Sequence, residues 1–152
     1  MIVLLAAVAL SGCLGVKTPP ISRPAPPEVF VDYHRTGGIA GLDDRIVIFD
    51  NGVAVISQKT ASTEITLNQS DLKRITGIFE KAQFSMLEGN YSARQGAADF
   101  FRYTISYHGK TVIAEDSATP PSLQPLIDEM NRIIKSETGS EPVEGQLVNL
   151  PP

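Results

Sequence analysis

The chain has 152 residues, with 13 Lys plus Arg against 17 Asp plus Glu, two His, one Cys and no Trp. That length suits one domain with a tail at either end, and 42% hydrophobic against 20% charged residues can fill a packed core, which excludes wholesale disorder. A lone Cys excludes a disulfide framework or a Cys-rich zinc site, and a net charge of -4 with no Lys/Arg run argues against nucleic acid as a partner. Two His leave little material for an elaborate active site, so the composition points to a small binding domain, not an enzyme. No catalytic residue, cofactor or metal is expected.

Ile2 to Leu10 is an unbroken apolar run followed by Ser11, Gly12 and Cys13. It is too short to span a hydrocarbon core, which needs about 20 residues, and reads as the apolar part of an export signal. Leu10-Ser11-Gly12-Cys13 resembles the lipobox of prokaryotic lipoproteins, in which the Cys is lipidated and becomes the first mature residue. The only Cys of the chain stands where that processing needs it. The resemblance implies a signal peptide over residues 1–12 and an exported protein, held at the cell envelope or surface by a lipid anchor on Cys13. No Lys or Arg precedes the run, so a start codon a few residues upstream is expected. Residues 13–27 hold Pro19, Pro20, Pro24, Pro26 and Pro27, the composition of a semi-rigid spacer. Residues 28–135 form the expected domain, and residues 136–152, rich in Glu, Gly, Ser and Pro, a disordered tail.

Within the domain, Val29, Val31 and Tyr33 alternate with Phe30, Asp32 and His34, the period of a strand. The strand ends at Thr36-Gly37-Gly38, and a connection from Gly37 to Asp44 leads into Arg45 to Phe49. Asp50-Asn51-Gly52 is a hairpin turn returning through Val53 to Gln58. Asn68 caps a first helix, supported by Asp71, whose apolar stripe is Leu72, Ile75, Ile78, Phe79 and Ala82. Ser85 to Ala98 reads as a long polar loop. Phe101, Tyr103, Ile105 and Tyr107 alternate in a further strand, turning at His108-Gly109 into Lys110 to Glu115. A second helix, capped by Ser122, carries Leu123, Leu126, Ile127, Met130, Ile133 and Ile134. The expected fold is α+β, an antiparallel sheet of about four to five strands with two helices packed on one face.

Few patterns carry chemistry. Gly109-Lys110-Thr111 lacks the upstream Gly of a phosphate loop, and no Gly-x-Ser-x-Gly elbow occurs. His34 and His108 have no metal-ligand spacing, and the aromatics Tyr33, Tyr103, Tyr107, Phe100 and Phe101 are either an exposed binding face or, as is far commoner for strand aromatics, one side of a core. Asn68-Gln69-Ser70 and Asn90-Tyr91-Ser92 match the glycosylation triplet, with Asn90 the better acceptor because Asn68 is occupied in capping. What packing leaves unexplained is Arg35 to Asp44. A surface connection that keeps Ile39, Ala40 and Leu42 is either a stiff recognition element for a cleft or a flap in which Ile39 and Leu42 fold back over the sheet edge.

Arg35-Thr36-Gly37-Gly38-Ile39-Ala40-Gly41 after the opening strand, Ala82 and Phe84 at the end of the first helix, Asp99 to Ile105 and Pro121 to Ile134 together resemble the emfourin family. These are small protein inhibitors of thermolysin-like (protealysin-type) zinc metalloproteases. The resemblance spans about Val29 to Ile134 and implies an α+β inhibitor that blocks a protease cleft without catalysis of its own. Carried over by position, Arg35, Gly37, Gly38, Ile39, Gly41, Leu42, Asp43 and Asp44 are the candidate target contacts; a sharper expectation, beyond the resemblance, is that the carboxylate of Asp43 or Asp44 approaches the enzyme's zinc. The competing expectation is an envelope module that binds another surface protein or a glycan and inhibits nothing.

Overall fold

The computed structural model describes residues 24–92 and 100–139. The apolar N-terminal run, Cys13, most of the Pro-rich stretch and residues 140–152 lie outside the described residues. The chain forms β1 (Val29–Gly37), β2 (Leu42–Phe49), β3 (Val53–Gln58), β4 (Ala61–Thr66), α1 (Gln69–Lys81), β5 (Asn90–Tyr91), β6 (Phe101–Tyr107), β7 (Lys110–Glu115) and α2 (Gln124–Thr138). The fold is α+β. Its single sheet runs in the order β4-β3-β2-β1-β6-β7-β5 and has seven strands rather than four to five. It is also mixed, because β5 pairs parallel with β7 while all other neighbours are antiparallel.

The period-2 patterns sort the sheet into two faces. Val31, Tyr33, Ile46, Ile48, Ala54, Ile56, Tyr103, Ile105, Val112 and Ala114 are buried and join Leu72, Ile75 and Phe79 of α1 and Leu126, Ile127, Met130, Ile133 and Ile134 of α2 in one core. Of the aromatics, Tyr33 and Tyr103 belong to this core and Phe101 and Tyr107 pack half-buried against it, whereas Phe100 is not part of it. Tyr33 is wholly buried and donates to Asn131 Oδ1 at 2.8 Å, and Phe79 stacks on Tyr107 at 3.9 Å. Burial pushes the Tyr33 phenol far up from its usual range. Every described residue of this core lies between Val31 and Ile134, so a chain starting at Leu14 keeps all of them and is expected to fold by itself.

Local signals explain the ends of the elements. Asn68 Oδ1 accepts from the amides of Ser70 (2.8 Å) and Asp71 (3.0 Å), and Asp71 reaches back to the Asn68 amide, completing a capping box. Gly52 (φ +89°) and the pair His108 (φ +46°) and Gly109 (φ +77°) make the two expected tight turns. At Gly77 a Cβ would meet nothing within 4 Å, so no close contact offsets the cost of this glycine to α1, up to about 1 kcal/mol relative to Ala. The helices are tied by Glu129 of α2, which accepts from Arg74 of α1 (3.0 Å) and from Arg132 (2.8 Å). Those two bonds hold its carboxyl below the usual range.

Three boundaries differ from expectation. Ser122 does not cap α2, because Pro121–Leu123 forms a 3₁₀ turn leading straight into the helix, with Pro125 in its first turn. The helix runs past residue 135 to Thr138 and stops at Gly139 (φ +64°), whose amide donates to the Lys135 carbonyl at 3.1 Å. The stretch after α1 is not a plain loop: Phe84–Met86 is a 3₁₀ turn that buries Phe84, and Asn90–Tyr91 adds β5.

Candidate functional site

The Gly37-to-Asp44 connection is shorter than the sequence suggests. Arg35, Thr36 and Gly37 belong to β1 and pair with Asp44, Asp43 and Leu42 of β2 in unbroken register. Only Gly38, Ile39, Ala40 and Gly41 form the tip, closed by the Gly41 amide donating to the Gly38 carbonyl at 2.8 Å. Ile39 and Ala40 keep negative φ, whereas Gly38 (φ +70°) and Gly41 (φ +55°) supply the left-handed flanks. This puts Ile39 at the apex, 91% exposed. It does not fold back, and Leu42 beneath it is half-buried.

The tip is held from below by groups that the sequence does not mark. The Gly38 amide donates to the Phe100 carbonyl at 3.2 Å, joining the hairpin to the start of β6. The Phe101 ring lies against Gly38 so closely that a Cβ there would sit 2.6 Å from it. On the other flank, Lys59 of the β3–β4 turn extends its Nζ to the Ala40 carbonyl (3.5 Å).

The two aspartates diverge because neighbouring strand residues face opposite sides. Asp43 is on the outer face, exposed, and its Oδ1 lies 2.7 Å from His34 Nε2. Asp44 is on the inner face at 3% exposure. Its carboxylate accepts from Arg35 Nη2 at 2.5 Å and from Gln58 Nε2 at 3.0 Å. Asp44 therefore cannot be a surface contact in this structure; it is the floor of the tip. Arg35 is 15% exposed, lies 5.5 Å from the centroid of the Phe101 ring, and its Nε finds no hydrogen-bond partner among the described residues.

On the outer face, His34 and Arg45 stand directly opposite across β1 and β2. Each turns to a diagonal carboxylate, His34 to Asp43 and Arg45 to Asp32 (2.9 and 2.6 Å), which separates the two basic groups. The bonds that Arg45 donates to Asp32 raise the Arg45 pKa. His108 lies in the β6–β7 turn, edge-on to Phe30 at 5.9 Å, and does not join His34. Among the described residues no three metal-ligating side chains converge. A shallow cleft of about 210 Å³ near the end of α1 is lined by Phe79, Phe84, Tyr107, His108 and Lys110. Lys110 Nζ there is engaged by the carbonyls of Ser85 (2.8 Å) and Leu87.

Fold and site together define an α+β domain that carries a braced, protruding hairpin with an apolar apex. In comparisons with known proteins the chain matches no protein-family model and no curated protein.

Proposed function

We propose that this chain is a membrane-anchored lipoprotein whose domain resembles the emfourins and inhibits a thermolysin-like zinc metalloprotease by inserting the β1–β2 tip into its cleft. The observation that carries the reading is Ile39, 91% exposed at the apex of a turn fixed on both flanks. A rigid loop loses little conformational entropy on binding, so the apolar side chain it presents can serve as an anchor in a partner's pocket. The linker enters β1 at Val29 and the tip follows Gly37, which lies eight residues further along. The tip therefore stands about 27 Å from the linker, at the far end of the strand. Target contact rests on Gly38, Ile39, Gly41, Leu42 and the exposed Asp43, with Arg35, Gly37 and Asp44 shaping the hairpin beneath. No helix among the described residues is long and apolar enough to cross a membrane; attachment through Cys13 rests on the lipobox-like Leu10-Ser11-Gly12-Cys13.

The test is titration of the chain from Leu14 onward against a panel of thermolysin-like proteases, following peptide hydrolysis. Stoichiometric inhibition is expected. Ile39→Asp should weaken it about 30- to 100-fold, the cost of losing an interface hot spot, with an unchanged circular dichroism spectrum because the side chain touches no core. Retained inhibition by Ile39→Asp would remove the tip from the interface. A folded domain that leaves every protease active would refute the inhibitor reading and favour an envelope-binding module. The anchor is tested separately: the full chain should incorporate labelled fatty acid and fractionate with membranes. Cys13→Ala should do neither, and labelling that persists in that variant would refute lipidation at Cys13.

A further inference from the structure

The two margins of the sheet differ. At one, β5 has two residues, and short edge strands are poor templates for further pairing. At the other, β4 pairs with β3 over six residues in unbroken register, from Val53 opposite Thr66 to Gln58 opposite Ala61. All its residues but Ile65 are exposed. The Leu67 amide donates to the Gly52 carbonyl at 2.8 Å, and bonded and non-bonded pairs alternate along an antiparallel ladder. Thr63 and Ile65 therefore direct their N–H and C=O to β3, whereas Ser62, Glu64 and Thr66 direct theirs to the open side. Natural sheets guard such a margin with Lys, Pro, a bulge or an inward-pointing charge. Strand β4 has no Lys, Pro or bulge, and its one guarding charge, Glu64, pairs opposite Val55 on the outer face rather than pointing inward.

We propose that β4 pairs antiparallel with β4 of a second copy of this chain about a two-fold axis, merging the two sheets into one. A symmetric contact needs a segment complementary to itself, and β4 meets that condition in one extended register. Opposed residues must share a face if the helices of both copies are to lie on the same side. One long register meeting this condition sets Glu64 directly against its own copy, which is unfavourable. The other places Thr63 on the axis against Thr63, Glu64 against Ser62 and Ile65 against Ala61. In that register the open backbone groups of Ser62 and Glu64 bond to each other across the axis, and Thr–Thr contact adds to them. The two tips then point to opposite ends of the merged sheet and both stay free, so the proposal stands independently of the inhibitor reading. So short a ladder buries less than the roughly 1,200 Å² of a stable interface. The contact is accordingly a weak equilibrium, with Kd on the order of 100 μM.

Sedimentation of the chain from Leu14 onward, between about 10 μM and 1 mM, should show a concentration-dependent dimer across that Kd. This chain lacks Cys13, so Thr63→Cys and Glu64→Cys each carry a single thiol. The Cβ atoms of a non-bonded pair on the axis lie about 4.5–5.5 Å apart, near disulfide range. Mild oxidation should therefore cross-link Thr63→Cys at least about tenfold faster than Glu64→Cys. Glu64→Pro removes an outward N–H without touching a β3–β4 bond, a position where Pro is tolerated, and should raise Kd at least about tenfold while the fold persists. If that variant does not fold, the cysteine pair alone decides. A chain that stays monomeric at about 1 mM, or equal cross-linking of the two cysteines, overturns the proposal; the monomer would leave this margin to a strand of another protein.

Discussion

Asp44→Ala is expected to lower the stability of the domain by about 3–5 kcal/mol, a fall of roughly 10–20 °C in Tm. The carboxylate is 4% exposed and sits 2.5 Å from Arg35 Nη2, whose side chain is 15% exposed. Removing it leaves a largely desolvated guanidinium without its counter-charge and takes the acceptor from Gln58 Nε2, 3.0 Å away. The ion pair itself need not be the stabilising element. Arg35 Nε is buried without a partner among the described residues, so the desolvation of the pair is incompletely offset. Arg35→Met combined with Asp44→Leu is therefore expected within about 1 kcal/mol of the parent, as for buried pairs replaced by apolar residues of similar size. Thermal and denaturant unfolding of both singles and the double decides the matter. A loss under about 1 kcal/mol in Asp44→Ala would show that the floor of the tip is not held by this pair.

These variants also separate stability from register. Arg35 and Asp44 face each other on the inner side, and Thr36 and Asp43 do so on the outer side. A slip by one residue would carry Asp44 outward and expose Ile46 and Ile48. The charged pair thus penalises every register but the observed one, which an apolar pair would do less sharply. If the double variant is stable but inhibits weakly, register at the base of the tip is what binding requires.

The legible parts of the fold are those where one segment carries its own signal. Strand β1 is readable because Val31 and Tyr33 enter the core while Asp32 and His34 do not, and the Asn68 cap because its partners lie within three residues. Strand β4 carries no such mark. It is exposed on both faces, with Ile65 its only sizeable apolar residue, so no period-2 pattern exists, and pairing with β3 makes it a strand. Strand β5 exists only through its parallel contact with β7. At the site, Ile39 is visible in the sequence as an apolar residue in an unsuitable place. The supports of the tip, Gln58, Lys59, Phe100 and Phe101, come from segments that only the folded sheet brings beside it. The inward turn of Asp44 is equally hidden, because it depends on where the turn ends and the ladder begins.

Gly37→Ala should be the most damaging single change at the hairpin, and its size relative to Gly38→Ala and Gly41→Ala tests how the tip is held. All three glycines lie in the left-handed region, so each substitution meets backbone strain of about 1 kcal/mol or more. They differ in what a methyl group would strike. At Gly37 (φ +106°) it would lie 2.1 Å from the Phe100 carbonyl oxygen, which is backbone and cannot turn aside. The opening of β6 must then separate from β1, breaking the bond from the Gly38 amide, for a total of about 3–4 kcal/mol. At Gly38 the obstacle is the Phe101 ring at 2.6 Å, a side chain that can rotate while giving up its contact, and about 2 kcal/mol is expected. At Gly41 only Lys59 Nζ stands near, at 3.3 Å, so strain alone remains, about 1 kcal/mol. Denaturant unfolding of the three variants should return that order. Inhibition should follow it too, because each lost contact frees a tip whose fit depends on being fixed beforehand. Equal and small losses at all three would mean that β6 does not brace the hairpin, and that the four-residue turn is rigid by its own closure.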